Sequence, residues 1–404
     1  MEARELRGLE IASSLEIRRE GNVWIVPSQS SSKHYTVNLF LQTCICADFD
    51  AHRIKCKHIY AAEAALACES GAELPAPDLG KKAKPIYKQD WQAYNKAQKN
   101  EKSKFQLLLY ELCKGIEEPL QEKGRGRPRL PLADILFATT FKVYSTFSCR
   151  RFNSDLKEAY SKGYLTKLPS SNSILDYFQM KMLMPYLRQL VEVASRPLSE
   201  IETAFAVDSS GFSTNRHARW TEAKYGKAKV INKKDWIKVH IMCGVKTNIV
   251  TAVELSGPNA GDSPRFKPLV LATSNNFTMN EVSADKAYSA EENLKLVQSK
   301  AAMPYIDFRS NATDKNRRSG SVWKRMYNFC QYNQEWFYEH YHKRSNVEST
   351  FSMIKAKFGG SLRSKTRTAQ YNEALCKILC HNICVVIQSI YELGIEPNFW
   401  PEDD

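Results

Sequence analysis

The sequence lacks any uninterrupted apolar stretch that approaches the thickness of a bilayer, and its first residues lack the basic-then-apolar layout of a secretory signal. We therefore expect a soluble, cytoplasmic protein that makes no membrane contact. Acidic residues are scarce relative to basic ones, with 44 Asp and Glu against 58 Lys and Arg, a net charge of +14. This excess predicts a polyanionic partner, and nucleic acid is the first candidate, which would make the protein nucleoid-associated.

The eleven cysteines are predicted to be thiols or metal ligands, because nothing in the sequence indicates export to an oxidising compartment. Cys44 and Cys46 form a Cys-x-Cys pair, and Cys56 and His58 form a Cys-x-His pair nearby. Three thiolates and one imidazole are enough for a closed tetrahedral zinc site. The alternative is a chance cluster of buried cysteines, since free cysteine often behaves as a small core residue.

The predicted elements before and after this cluster support the prediction of a zinc site. Candidate strands at 22–27 and 34–40 precede it, and a candidate helix at 59–67 follows it. Ligands and context resemble a SWIM-type zinc finger, whose pattern passes over His52. A region of residues 1–70 is too small to build much core alone, so we expect a structural zinc ion in a module that binds DNA or a protein partner.

Residues 71–122 are predicted to be a polar, basic linker followed by a bracing helix at 105–113. The segment 123–129 is rich in Arg and Gly, and its core around Arg125 and Arg127 resembles an AT-hook. Arginines in such an extended segment can enter a narrow minor groove. A solvated basic linker is an equally good interpretation.

The region 123–197 is predicted to contain short helices joined by polar turns, including one at 132–146 and one at 174–181. Between them, Arg150 and Arg151 begin a further helix. This pattern favours a helix-turn-helix-like DNA-binding region in which the two arginines contact DNA. The alternative is a plain helical bundle that braces the next domain.

Residues 198–392 alternate between strand and helix patterns, before an acidic C-terminal tail at 393–404. The predicted strands are 204–208, 236–245, 249–255, one that ends at Asp285, and 303–308. A three-stranded meander followed by alternating helices and strands is typical of the RNase H-like fold. We therefore predict an α/β protein whose catalytic domain has a mixed five-stranded sheet, preceded by the helical region and the small β and zinc-finger module.

A helix is predicted from Tyr341 to Lys355, and it places Tyr341, Arg344, Glu348 and Lys355 within an arc of roughly 60°. A carboxylate flanked by these groups suits a phosphodiester site, because the acid can hold a divalent cation while Arg and Lys contact phosphate oxygens. The alternative is an ordinary amphipathic helix with surface ion pairs.

This Y-x2-R-x3-E-x6-K helix resembles the signature of bacterial and archaeal insertion-sequence transposases of the DDE class. The resemblance implies two upstream catalytic aspartates, and the sequence supplies Asp208 and Asp285, each after a short apolar run. It further implies that Asp208, Asp285 and Glu348 hold Mg²⁺, or Mn²⁺ as a substitute. The nearest rival carboxylates, none in as good a motif, are Glu254, Asp262, Asp307 and Asp314.

The same resemblance implies the activity and the partners. A DDE transposase binds the terminal inverted repeats of its element in double-stranded DNA, cuts by water attack and joins the freed 3′-hydroxyl to target DNA, as a homodimer or larger synaptic complex. Arg344 and Lys355 would contact phosphates, and Tyr341 the backbone or a displaced base. The alternatives are a transposase-derived DNA-binding or regulatory protein without strand transfer, and an RNase H-like nuclease.

Two further groups invite a functional interpretation that the sequence does not favour. Trp323 and Trp336 could stack on a flipped base, but they are at least as well explained as core anchors. Cys376, Cys380 and Cys384 recur every four residues beside His381, yet they share their helix with regularly spaced Leu and Ile residues. We therefore predict that these cysteines are small core residues.

Overall fold

A computed structural model of the chain describes residues 3–14, 16–28, 33–69, 90–119, 129–214, 236–309, 311–313 and 320–400. The chain forms two compact units, Met1–Lys88 and Gln89–Asp404. Arg125 and Arg127, the predicted minor-groove contacts, lie outside the described residues, as does Asp314. The finer predicted division of the chain into regions remains a prediction.

The first unit packs two longer helices against a small antiparallel sheet in the order β1-β2-β3-β4. Its elements are α1 (Ala3–Ser14), β1 (Arg18–Glu20), β2 (Val23–Pro27), β3 (His34–Asn38), β4 (Thr43–Cys44), α2 (Ala47–His52) and α3 (Lys57–Glu69). Trp24, Val37 and Ile59 are buried in its core. The predicted strands are confirmed as β2 and β3. Helices α1 and α2 were not predicted, and neither were β1 and β4, which have only 3 and 2 residues and are too short to show a periodicity.

The second unit begins with helices, and the first starts earlier than predicted. The helices are α4 (Trp91–Lys114), α5 (Leu132–Ser145), α6 (Cys149–Ser161), α7 (Ser171–Phe178) and α8 (Leu183–Ser195). The polar stretch before Phe105 is helical because Asp90 caps it, accepting hydrogen bonds from the Gln92 and Ala93 amides at 3.0 Å. Its Lys, Gln and Ala residues also have high helix propensity.

Helix α5 is a central element of this unit, because nearly every residue from Leu132 to Val143 is buried. It shares one apolar core with α4, α6, α8 and the sheet that follows. Arg150 and Arg151 are exposed at the start of α6. The helical region is therefore built into the same core as the sheet.

The sheet has the order β7-β6-β5-β8-β9. Its strands are β5 (Ala204–Ser213), β6 (Trp236–Gly244), β7 (Val250–Ser256), β8 (Glu281–Ala284) and β9 (Met303–Ile306). Strand β5 is antiparallel to β6 and parallel to β8. Phe205 and Val207 belong to one apolar core and Ala206 to another, so both faces of the sheet are covered. The predicted α/β fold with a mixed, RNase H-like five-stranded sheet is confirmed.

The remaining helices are α9 (Ser263–Ser274), α10 (Glu291–Ser299), α11 (Ser321–Tyr332), α12 (Gln334–Tyr341), α13 (Ser345–Phe358) and α14 (Arg367–Glu392). The prediction of a single helix from Tyr341 to Lys355 is wrong. Tyr341 ends α12, and a 3-10 turn at His342–Arg344 separates it from α13. Tyr341 and Arg344 therefore precede the α-helix that carries Glu348.

Residues 393–400, the described part of the predicted C-terminal tail, pack against the rest of the second unit. Phe399 is buried, and the Trp400 ring lies against the backbone of Gly115. Helix α14 is long and apolar enough to cross a membrane, but most of it is buried within the structure, as expected for a core helix.

Candidate catalytic site and candidate zinc site

The four predicted zinc ligands come from three short local elements. Cys44 ends β4, Cys46 caps α2, and Cys56 and His58 lie at the start of α3. All four are buried, and their ligand atoms lie within 4.8 Å of one another. The His58 Nδ1 atom is 3.9 Å from each of the Cys44 and Cys56 sulfurs. Bond lengths of 2.0–2.3 Å give a zinc tetrahedron with edges of about 3.5–3.8 Å, so the residues fit this ion.

The protonation of these ligands also suits a cation. A hydrogen bond from Cys44 lowers the pKa of the Cys56 thiol to about 4. The same contact raises the pKa of Cys44. The His58 ring packs against the Tyr35 ring, with ring centres 4.3 Å apart and the planes tilted by 35°. The cluster therefore stabilises a thiolate, which is the form that binds metal.

The predicted catalytic aspartates lie side by side at the centre of the sheet. Strands β5 and β8 are parallel, with Val207 beside Ala284, so Asp208 and Asp285 are the next residues of the two strands. The prediction that this strand ends at Asp208 is wrong. Strand β5 continues to Ser213 through its pairing with β6. Strand β8 does end there, and Asp285 caps the following turn by accepting a hydrogen bond from the Ala287 amide at 2.7 Å.

The third acid, Glu348, is joined to this pair through Arg344. The guanidinium Nη1 atom donates to Asp208 Oδ2 at 2.7 Å, and Nη2 donates to Glu348 Oε1 at 2.7 Å. Arg344 was predicted to contact phosphate, and here it pairs with two of the three acids. Arg344 and Glu348 are four residues apart, a spacing at which helical side chains meet, and the packing of this segment against β5 brings Asp208 within reach.

The pKa of Asp208 depends on its burial and on the charged groups around it. Burial raises its pKa, and the Asp285 and Glu348 carboxylates raise it further. The Ser209 amide and Arg344 act in the opposite direction. Arg344 compensates the charge of Asp208 and Glu348, and Asp285 is the neighbour of Asp208 on the adjacent strand. Carboxylate oxygens are the ligands that Mg²⁺ and Mn²⁺ prefer, but among the described residues only the four zinc ligands converge to within 4.8 Å, so the three acids lie near one another without closing around an ion.

A cleft of about 560 Å³ opens beside Asp208 and Glu348. Lys355 lines it and donates a hydrogen bond to Ser210 Oγ at 2.7 Å. Burial lowers the pKa of Lys355. Burial raises the pKa of the Tyr341 hydroxyl, the nearby Arg344 lowers it, and Asp307 and Asp285 act in the same direction as burial. The structure thus brings together the predicted catalytic residues with Arg344, Lys355 and Tyr341, whereas Arg150 and Arg151 do not line this cleft.

Asp262, one of the rival carboxylates in the sequence, lies beside the site. Asp262 precedes α9, and its carboxylate accepts a hydrogen bond from Ser209 Oγ at 3.3 Å. It forms a salt bridge with Lys238 and lies 3.4 Å from His240 Nδ1. Burial lowers the pKa of His240 to about 4. Only the packing of α9 against β6 and β7, which the sequence does not reveal, brings Asp262 next to Ser209.

The other rival carboxylates that the structure describes have other partners. Glu254 pairs with Arg188 at 3.0 Å, and Asp307 accepts a hydrogen bond from the Tyr338 hydroxyl at 3.3 Å. Of the two tryptophans, Trp323 donates to the Ser289 carbonyl at 3.1 Å and stacks on a neighbouring tyrosine. Trp336 is 57% exposed. Trp323 is thus a packing residue, and Trp336 remains a candidate for stacking on a base.

A mixed sheet with adjacent aspartates on two central strands and a glutamate on a later helix places this protein in the RNase H-like α/β class. Residues 200–383, which include all three acids, match the family model described as transposase DDE domain. Residues 35–67, which include all four zinc ligands, match the family model of the SWIM zinc finger. The chain therefore carries a transposase DDE domain and a SWIM zinc finger, and both predicted resemblances are confirmed.

One solved structure is similar over much of the chain. It is a cryo-EM structure of the piggyBac transposase synaptic complex with hairpin DNA, with a TM-score of 0.34 and 14% sequence identity. The match covers 72% of this chain and 73% of that chain.

Proposed function

We propose that this protein is a DNA transposase that binds the terminal inverted repeats of an insertion sequence and performs metal-dependent strand cleavage and 3′-hydroxyl strand transfer. The observation that carries the proposal is that Arg344 pairs with both Asp208 and Glu348, while Asp285 follows the strand next to that of Asp208. These residues lie within the stretch that matches the transposase DDE domain. The net charge of +14 supports a polyanionic substrate.

In this proposal Asp208, Asp285 and Glu348 hold Mg²⁺, or Mn²⁺ as a substitute. Such a cation, when bound, activates the attacking oxygen and stabilises the leaving oxygen of a phosphodiester. Arg344 keeps the acids together and, with five N–H donors, has donors left for a phosphate oxygen. Lys355 contacts the next phosphate from the wall of the cleft, and Tyr341 the backbone or a base.

The remaining DNA contacts are assigned to basic residues elsewhere. Arg150 and Arg151 are exposed at the start of α6, where they can contact a phosphate backbone. Arg125 and Arg127 are assigned to the minor groove. The zinc ion of the SWIM finger is structural, because four protein ligands leave no open position for chemistry. Action on two transposon ends calls for a homodimer or a larger synaptic complex.

The test is cleavage of a duplex that carries the element's inverted repeat, with Mg²⁺, by the intact protein and by Glu348→Gln. Glu339→Gln, an exposed glutamate outside the acid cluster, is the matched control. We expect Glu348→Gln to lose at least about 10³-fold in cleavage rate while it still binds the repeat, because metal ligation contributes several kcal/mol to the transition state.

Cleavage at the repeat boundary that persists in Glu348→Gln would contradict the assignment of the acid. Binding without cleavage by the intact protein, with Mn²⁺ also tried, would favour a transposase-derived DNA-binding protein. Cleavage without joining to target DNA would favour a nuclease. The three outcomes separate the proposal from its alternatives.

A further inference from the structure

A second cleft, of about 700 Å³, lies where α5, α6 and α7 meet the end of α13 and the first half of α14. It is separate from the acid cleft and shares no lining residue with it. The cationic residues that line it are Lys142, Arg151, Arg363 and Lys377. The one carboxylate in its lining belongs to Glu373. Four cations against one acid give the cleft a strong positive charge.

The carboxylate of Glu373 is engaged in hydrogen bonds with backbone amides of the cleft. Glu373 accepts hydrogen bonds from the Arg363 amide at 2.9 Å and from the Ser364 amide at 2.8 Å. It therefore fixes the loop before α14. Lys377 likewise donates to the carbonyls of Gly359 and Ser361, at 2.8 and 2.9 Å. These contacts shape a rigid floor and leave an excess of positive charge above it.

Lys142 is the unusual member of the set. Its residue is only 8% exposed, and its ammonium group makes no hydrogen bond or ion pair with any residue that the structure describes. Burial lowers its pKa and Arg363 acts in the same direction, whereas the nearby Cys149 and Glu373 oppose the shift. Lys142 lines the cleft, where a bound anion would pair with its ammonium group.

The start of α6 adds to the positive potential. Ser148 caps this helix of 13 residues by accepting a hydrogen bond from the Arg151 amide at 3.4 Å, and Ser148, Cys149 and Arg151 all line the cleft. A helix N-terminus carries partial positive charge and unpaired amide groups, which favour an anion. The Arg363 guanidinium is held next to it by the carbonyls of Thr146 and Phe147.

The mouth of the same cleft is apolar and open. Phe147 is 49% exposed and Leu175 is 51% exposed, whereas Phe178 and Phe358 are buried below them. An exposed aromatic ring beside a cluster of cations is the arrangement that proteins use to stack a base while binding its phosphate. Free phosphate alone would not account for the apolar mouth.

We propose that this cleft binds one nucleotide of a DNA strand, with its phosphate between Lys142 and Arg363 and its base against Phe147. Phe358, at the cleft, follows Glu348 by 358 − 348 = 10 residues on α13, or about 15 Å along the helix axis. This distance corresponds to about four nucleotides of B-form strand from the reacting phosphate. The identity of the ligand as a DNA strand rests on the proposed function.

The test uses the full chain carrying Glu348→Gln, so that bound DNA is not cut. It compares this protein with the double variant that also carries Lys142→Met. Methionine keeps an unbranched side chain, one heavy atom shorter than that of lysine, and removes the charge. We expect the affinity for an inverted-repeat oligonucleotide to fall about tenfold, since a charge-assisted phosphate contact is lost. The melting temperature should be unchanged or higher. Lys114→Met, at an exposed position on α4, is the matched control and should leave the affinity nearly unchanged.

A second readout locates the base. An oligonucleotide that carries 5-iododeoxyuridine about four nucleotides from the cleavage site should cross-link to Phe147 under ultraviolet light, and the cross-link should fall at least fivefold in Lys142→Met. Unchanged affinity and an unchanged cross-link in Lys142→Met would overturn the inference. Stabilisation by inorganic phosphate or dAMP, but not by the oligonucleotide, would also overturn it, because the cleft would then serve a free anion.

Failure of this inference is distinguishable from failure of the proposed function. If the cleft is not a DNA site, the protein with an intact Glu348 still cleaves the inverted repeat, and Lys142→Met in that background cleaves equally well. If the proposed function is wrong, the intact protein does not cleave at all, whatever residue occupies position 142.

Discussion

The two candidate metal sites are assembled in different ways. The zinc ligands lie between Cys44 and His58, and the turns at Cys46 and Cys56 bring them together. The catalytic acids are spread over 348 − 208 = 140 residues, and their meeting depends on the register of β5 and β8 and on where α13 packs. A local site is therefore largely determined by residue spacing, whereas a long-range site also needs the correct fold.

The cysteines of α14 show the limit of spacing as a guide. Cys376 and Cys380 lie one helical turn apart and are fully buried. The Thr140 hydroxyl donates to the Cys376 sulfur at 3.7 Å, and Cys380 donates to the Thr140 carbonyl at 3.4 Å. Among the described residues, convergent Cys and His ligand atoms occur only at Cys44–His58. Ligands converge where the chain turns between them, and a straight helix spreads them along its core face.

The largest effect is expected when a local ligand is removed. Cys56→Ser should reduce bound zinc from one ion per chain to nearly none and unfold the region around it, because structural zinc contributes roughly 10 kcal/mol or more to the folding of small metal modules. Zinc content by mass spectrometry and protease sensitivity of residues 1–88 measure the loss.

Two control variants sharpen this test. Cys68→Ser changes an exposed cysteine in α3, and Cys380→Ser changes a buried one in α14. Both should keep one zinc ion per chain. Zinc retained by Cys56→Ser, or lost from Cys380→Ser, would contradict the contrast between the two clusters.

The sequence predicts the acids of the long-range site because Asp208 and Asp285 follow apolar runs that become neighbouring strands. It does not predict what joins them. The pair of Arg344 with Glu348 follows the i, i+4 spacing of the sequence, but the bond from Arg344 to Asp208 depends on the packing of this segment against β5. Asp262 is named from the sequence only as a rival carboxylate, because its approach to Ser209 depends on tertiary packing.

Arg344→Lys tests the link between the acids. Lysine keeps the charge but cannot bridge two carboxylates with a planar fork, so the repulsion that raises the pKa of Asp208 is less well compensated. We expect single-turnover cleavage to fall about 10²-fold, as when one preorganised donor is lost, and binding of the inverted repeat to change much less.

Arg325→Lys is the control for this substitution, because Arg325 is exposed on α11 and contacts only the Gln298 side chain among the described residues. It should cleave at nearly the normal rate. A normal rate in Arg344→Lys would mean that charge alone is required at this position, and that the bridge between Asp208 and Glu348 has no part in the reaction.

The smallest effect is expected at His381, which lies in the α14 cluster and contrasts with the zinc ligand His58. Its Nε2 atom donates to the Asn248 carbonyl at 2.9 Å, and burial lowers its pKa to about 4 from an ordinary value of 6.5. Between these values the unfolded chain binds more protons than the folded one. The free energy of unfolding therefore falls as the pH falls from 6.5 towards 4, by about 1.4 kcal/mol per pH unit for this residue.

His381→Gln keeps a side-chain donor for the carbonyl and cannot take up a proton in this range. Urea unfolding at pH 7, 6 and 5 should therefore show a shallower pH dependence in the variant, with about 2 kcal/mol less loss at pH 5. His240, whose pKa is also lowered to about 4, titrates in both proteins, so its contribution cancels in the comparison. Equal slopes in the two proteins would mean that His381 is not held neutral by the core, and that the α14 cluster is more polar than its packing indicates.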